Sequence, residues 1–306
     1  MVKVLFLMVF SSLLFGELTL KQAMIQTEND ADFRTDRDYT YGSEIGVLLQ
    51  KDPSTYISLS VAHQMFTPND FDKEDVDLSK ERPYAGYMYV GGGYHKVQGE
   101  VLESYNLQIG FVGESVKMDE VQKIIHSIIG SPEPKGWEEQ IGDELIVQIN
   151  YQKKYYQQLK QIGSFKQSVV YYGGFDLGNA STKVSLGCFY SFGNKKREDF
   201  GVSRIDYKSY NTIPLQDADP KKKTHSYSVN FWIEPIGVVR DIFLDGNSFK
   251  ESRSVEKNSF VLKGGFGLSY RYGAWSVEYV RTYSTKEFKT QSYYHSYGSF
   301  LVGYNF

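Results

Sequence analysis

The side chains that could do chemistry in this sequence are few. Of the five histidines, none stands in zinc-ligand spacing such as HExxH. There is no GxSxG elbow, P-loop or GxGxxG following a strand, so serine-hydrolase, nucleotide and dinucleotide chemistries have no local support. The residues that stand out begin with Asn29 and Asp30, followed by Asp36-Arg37-Asp38-Tyr39-Thr40-Tyr41-Gly42. Downstream come Phe66-Thr67-Pro68, Lys73, Arg82-Pro83-Tyr84-Ala85-Gly86, His126 and Gly136-Trp137-Glu138-Glu139-Gln140. An imidazole can take a proton from water near neutral pH. Singly, each residue also has a plain structural use: Asx and Thr near strand ends make turns, and a lone loop lysine is solvated.

Strands must position these groups. The chain has 306 residues, with 25 Tyr, 20 Phe and 28 Gly, a mixture that suits many strands with aromatic girdles. Tyr105, Leu107, Ile109 and Phe111 alternate with Ser104, Asn106, Gln108 and Gly110. The same period of two runs through Tyr227, Val229, Phe231 and Ile233, and through Phe260, Leu262, Gly264, Phe266, Leu268, Tyr270 and Tyr272. Val184, Leu186, Cys188, Tyr190 and Phe192 continue it. One phase is apolar and the other small or polar, as in a strand with lipid on one side and a lumen on the other. Roughly a dozen such runs predict an all-β fold, a transmembrane antiparallel β-barrel of about 12 strands. Phe300, Val302, Tyr304 and Phe306 share one face of the last run, the kind of C-terminal signal barrels present to their insertion machinery.

Residues 1–17 read as a signal peptide and 18–306 as the barrel domain. Lys3 is the positive region, and residues 4–15 form an apolar run too short for a membrane anchor. The single cysteine, Cys188, permits no intrachain disulfide and reads as a small membrane-facing side chain. A net charge of -3 without a basic stripe excludes a nucleic-acid partner. The long hydrophilic connections at 68–82, 131–143, 194–224 and 245–258 are expected outside the cell, because periplasmic turns are short.

One stretch, 115–129, breaks the β rhythm. Val121, Ile124, Ile125 and Ile128 form one helical face, with Asp119, Gln122 and His126 opposite. The expectation is a short helix near the active site, leaning its apolar face on the barrel while its polar edge lines a crevice.

The ordered series E-N-D (28–30), D-R-x-Y-T-x-G (36–42), T-P (67–68), R-P-Y-A-G (82–86), Q-x3-H (122–126) and G-W-x-x-Q (136–140) resembles the LpxR-type lipid A 3'-O-deacylases. The resemblance implies a Ca2+-dependent hydrolase in the Gram-negative outer membrane. It would remove the 3'-linked acyloxyacyl chain from the lipid A of lipopolysaccharide, acting as a monomer among outer-membrane lipids. The family's functional residues fall on Asn29, Asp30, Thr40, Lys73 and His126. The acidic residue expected after the helix histidine falls on Pro132 in a gapless match, and the adjacent Glu133 takes that place with a small loop shift. In this reading His126 is the base, Asp30 and Glu133 hold Ca2+, Asn29 and Thr40 position the water or the oxyanion, and Lys73 meets a substrate phosphate. Two rivals share the barrel. An outer-membrane phospholipase would rely on a Ser/His pair in the membrane belt, for which no alternating strand offers a candidate. A pore or adhesin would use the motifs only to hold loops.

Overall fold

The computed structural model describes residues 18–30, 37–69, 78–194, 199–205, 213–214 and 223–306. The expected leader (1–17) and Lys73 lie outside the described residues. The twelve strands are β1 (Thr19–Asn29), β2 (Asp38–Asp52), β3 (Thr55–Thr67), β4 (Ala85–Gln98), β5 (Val101–Val112), β6 (Glu144–Gln158), β7 (Lys166–Gly178), β8 (Ser181–Gly193), β9 (His225–Asp241), β10 (Phe260–Tyr272), β11 (Trp275–Ser284) and β12 (His295–Asn305). All pair antiparallel with their sequence neighbours, and β1 pairs with β12, Gln22 opposite Asn305, so the sheet closes and leaves no edge. The expected fold class holds.

Alternation assigns the two faces. On β5, Tyr105, Leu107, Ile109 and Phe111 are exposed while Ser104, Gln108 and Gly110 are buried. Exposed apolar side chains continue around the wall as Ile25, Ile45, Val61, Val90, Ile109 and Val147. A belt of that kind is stable in hydrocarbon and not in water.

The lumen is filled. Phe189, Phe200, Val202, Ile213 and Trp232 belong to one buried cluster inside it. Residues 199–205 are held there by lumenal side chains: Arg204 pairs with Glu234 at 2.8 Å and lies over the Trp232 ring, and Arg271 pairs with Asp199 at 2.9 Å. Glu28 accepts from the Ile205 amide and Glu278 from the Ser203 amide.

The placement of this segment corrects one expectation. Following the antiparallel order, β1 begins and β12 ends at the barrel end that carries the tight turns 53–54, 99–100 and 273–274. By the short-turn rule that end is periplasmic. The connection 194–224 leaves from the same end, so it is not an external loop. Its described parts, 199–205 and 213–214, turn back into the lumen. The reason is parity: the β7–β8 connection at 179–180 is a tight turn on the outer end, which puts the next connection inside.

Among the described residues two α-helices interrupt the strands, α1 (Met118–Ile129) before β6 and the short α2 (Ile242–Asp245) after β9. Both belong to the outer end.

Candidate active site on the outer wall

The first group of candidate residues assembles where β1, β2 and β3 reach the outer end. Asn29 lies opposite Tyr41 and faces outward with it. The Asp30 amide donates to the Thr40 carbonyl at 3.3 Å, and the Asp30 carboxylate accepts from the Arg37 amide at 2.9 Å. The register slips between Tyr39 and Tyr41. That bulge re-aims Thr40, whose Oγ1 meets the Thr67 Oγ1 at 2.6 Å. Asn29, Asp30 and Thr40 are thus brought together by one hairpin and its neighbour. Arg37 is braced by stacking over the Tyr293 ring, 3.6 Å from its centroid. Burial pushes the Tyr293 phenol well above its ordinary pKa, with the charges of Asp38 and Glu81 adding to it. The phenol therefore stays neutral and donates to Glu81 at 3.4 Å.

The second group is carried by α1, and the motifs that flank it hold it on the wall. Tyr84 and Trp137 pack at 4.7 Å between ring centroids, and the Tyr84 hydroxyl donates to the Lys135 carbonyl at 2.7 Å. Trp137 Nε1 donates to Gln122 Oε1 at 2.7 Å. Met118 completes a buried cluster with Met65, Tyr84 and Trp137, against which Tyr41 and Val121 pack. Gly86 lets the helix come this close, since a Cβ there would lie 2.7 Å from Met118 Cγ. At the other end Gly130, at φ 71, takes the left-handed conformation that stops the helix.

The face α1 turns to the barrel is the polar one. Met118, Gln122 and His126 are buried, whereas Ile124, Ile128 and Ile129 are exposed. The polar edge is buried against the wall, packed with Met65, Tyr84 and Trp137. The expectation that the isoleucines lean on the barrel is overturned. A helix on the outside of a membrane barrel gains by giving its apolar face to lipid and its hydrogen-bonding face to protein.

His126 Nδ1 lies 2.5 Å from the Pro132 carbonyl oxygen. A carbonyl only accepts, so Nδ1 carries the proton and, in the neutral ring, Nε2 keeps the lone pair. Glu133 does not share this position. Its side chain is 73% exposed and pairs with Lys123 at 3.7 Å. The position matched to an acid, Pro132, instead contributes its backbone oxygen. Among the described residues no three His, Cys, Asp or Glu side chains form a metal-binding group.

The profile of the family described as outer membrane protein LpxR matches residues 4–306. The chain belongs to this family. The structure of LpxR from Salmonella typhimurium is similar over 93% of this chain and 100% of that one, with a TM-score of 0.80 at 19% identity. The β-domain of the Bordetella autotransporter BrkA, at 10% identity, covers 94% of this chain and 99% of its own with a TM-score of 0.45. The KdgM porin bound to disordered oligogalacturonate, at 7% identity, covers 93% and 99% with a TM-score of 0.43. A comparison with functionally curated proteins returns no match. An LpxR-family barrel resides in the outer membrane, which identifies the solvent of the apolar belt and of the α1 isoleucines as lipid.

Two features of this outer wall escaped the sequence reading. Thr67 was visible only as part of a T-P corner, and nothing local announced that its hydroxyl would meet Thr40. The second is a Ser/His pair in the belt: Ser43 on β2 and His63 on β3 are register partners, with Ser43 Oγ 2.6 Å from His63 Nε2. They are twenty positions apart, so only the pairing of two strands reveals them.

Proposed function

We propose that this LpxR-family barrel hydrolyses the ester that attaches the 3'-linked acyloxyacyl chain to lipid A in the outer leaflet. The observation that carries the proposal is the His126 imidazole, fixed by the Pro132 carbonyl on the barrel-facing side of α1. That helix packs on the outer wall beside Tyr41, the register partner of Asn29. A lipid reaching the wall beside α1 stays in the bilayer while its ester meets protein.

His126 Nε2 takes a proton from water as the water oxygen attacks the ester carbonyl carbon. It then returns that proton to the sugar oxygen as the acyl–oxygen bond breaks, releasing a carboxylic acid and a free 3'-hydroxyl. The Asn29 carboxamide and Thr40 hydroxyl are the donors for the developing oxyanion. Lys73, outside the described residues, pairs with a lipid A phosphate in this reading. The donor set at the β1–β2 end is all oxygen: the Asp30 carboxylate, the Asn29 carboxamide, the Thr40 and Thr67 hydroxyls and neighbouring carbonyls. That chemistry suits Ca2+ and not a thiolate- or imidazole-seeking metal. Asp30 with Asn29 and adjacent carbonyls would hold it, and Glu133 would not. When bound it supplies positive charge next to the ester carbonyl.

A pore gains no support from a lumen packed with side chains and the 199–205 segment. The test is to incubate purified protein with lipid A and, separately, phosphatidylethanolamine, and to count released fatty acid. The proposal expects loss of the 3' chain from lipid A by mass spectrometry, abolished by EGTA and restored by Ca2+. It also expects His126→Ala to insert normally and leave lipid A fully acylated. Release from phosphatidylethanolamine alone, or undiminished activity of His126→Ala, would end it.

A further inference from the structure

On the outer wall the strand register sets out rows of neighbouring outward-facing side chains. One row below Asn29, Tyr41 and Met65, the register runs Phe300, Thr27, Ser43, His63, Met88 and Phe111 across β12, β1, β2, β3, β4 and β5. Phe300, Met88 and Phe111 are exposed to the membrane. The row beneath, Ile25, Ile45, Val61, Val90 and Ile109, is wholly apolar. Thr27, Ser43 and His63 are therefore a polar island inside the lipid-facing belt, where polar groups are costly. The island lies two residues along β2 from Tyr41, about 7 Å along the strand and away from the outer end. It adjoins Tyr41 and Met65, on which α1 packs.

The island is not self-sufficient. Ser43 and His63 share one hydrogen bond at 2.6 Å, and the edge of the Tyr41 ring packs on the imidazole. Among the described residues no other hydrogen-bond partner reaches either side chain. If the Ser43 hydroxyl donates to Nε2, the neutral imidazole keeps a Nδ1–H donor. If Nε2–H donates to Ser43, the hydroxyl hydrogen is left over. Either way the pair offers one donor to the outside, at a depth where the acceptors are ester carbonyls of lipid chains.

A nucleophilic serine fits the same pair less well. β2 and β3 are each paired on both edges, so the backbone N–H groups around Ser43 are used by the ladder and none is free to build an oxyanion hole.

We infer that Ser43 and His63 form a subsite that hydrogen-bonds the second ester of an acyloxyacyl chain, the one at its branch point, while the first ester lies beside α1 at the outer end. This inference rests on the deacylase reading and adds to it: the wall selects chains that carry an oxygen function a few bonds below the scissile ester. One neutral hydrogen bond in an apolar setting corresponds to a preference of about tenfold in kcat/KM.

The experiment uses two synthetic lipid A substrates that differ only in the 3' chain, one acyloxyacyl and one plain acyl, with the full-length protein in detergent. The wild type should prefer the acyloxyacyl substrate by about tenfold. In Ser43→Ala and His63→Phe the ratio should fall toward one, and Ser43→Thr, which keeps a hydroxyl, should retain it. A wild-type ratio near one, or a ratio unchanged in both variants because both rates fall together, overturns the subsite. Labelling of Ser43 by a fluorophosphonate, with both activities lost in Ser43→Ala, overturns it in favour of a nucleophile. Cleavage of neither 3' ester by the wild type is a different failure, because it sinks the deacylase reading first.

Discussion

Replacing Gly86 by alanine tests whether the seating of α1 controls the reaction. The added Cβ would lie 2.7 Å from Met118 Cγ and 2.9 Å from Met118 Cβ. Carbon atoms in contact prefer about 3.5–4.0 Å, so the first turn of α1 must retreat by about 1 Å. The Met118 Cβ contact matters most, because a Cβ moves only with its helix. Overpacking of this kind costs about 1–3 kcal/mol, and it falls on the α1 interface, leaving the ladder between β3 and β4 intact. Because Met118 and His126 share one buried stripe, the displacement reaches the imidazole. A misplacement of about 1 Å is enough to cost on the order of 10²-fold in rate. The assay is removal of the 3' chain from lipid A followed by mass spectrometry, with barrel integrity read from the heat-dependent shift in gel mobility. Gly86→Ala should lose about 10²-fold in kcat with an unchanged mobility shift. Adding Met118→Gly removes both contacts and should recover about tenfold. Activity within twofold of wild type, or simple additivity of the two losses, would refute the claim that this contact sets the helix.

Other perturbations separate the parts of the structure. Trp137→Phe removes the buried donor to Gln122 Oε1, a loss of about 1–3 kcal/mol at the helix. Activity should fall about 10–100-fold while the denaturant midpoint of the barrel stays put, and a shifted midpoint would show that the tryptophan supports the whole wall. Arg204→Ala leaves the Glu234 carboxylate buried without its 2.8 Å partner. A loss of about 3–5 kcal/mol is expected, read as a lower guanidinium midpoint; an unchanged midpoint would mean the lumenal segment does not stabilise the barrel. Glu133→Gln should leave both activity and its Ca2+ dependence within about twofold, since exposed ion pairs contribute about 0–1 kcal/mol. Loss of Ca2+ dependence in that variant would return Glu133 to the site.

The sequence by itself determined the barrel, its apolar belt and the existence of one outer helix. Each of these is a period written in consecutive residues, such as Tyr105, Leu107, Ile109 and Phe111 facing one way, or Gln122 and His126 one turn apart. The group Asn29, Asp30 and Thr40 was legible as well, because a single hairpin joins them. What the tertiary structure decided depends on relations no local window contains. Which face of α1 meets the wall follows from the solvent on its far side, and that solvent is lipid. The side from which 194–224 departs follows from the parity of every strand before it, with the tight turn at 179–180 deciding the outcome. The meeting of Thr40 with Thr67, and of Ser43 with His63, follows from the register of β2 on β3, where a slip of β3 by one residue would turn Thr67 and His63 to the other face and away from their partners.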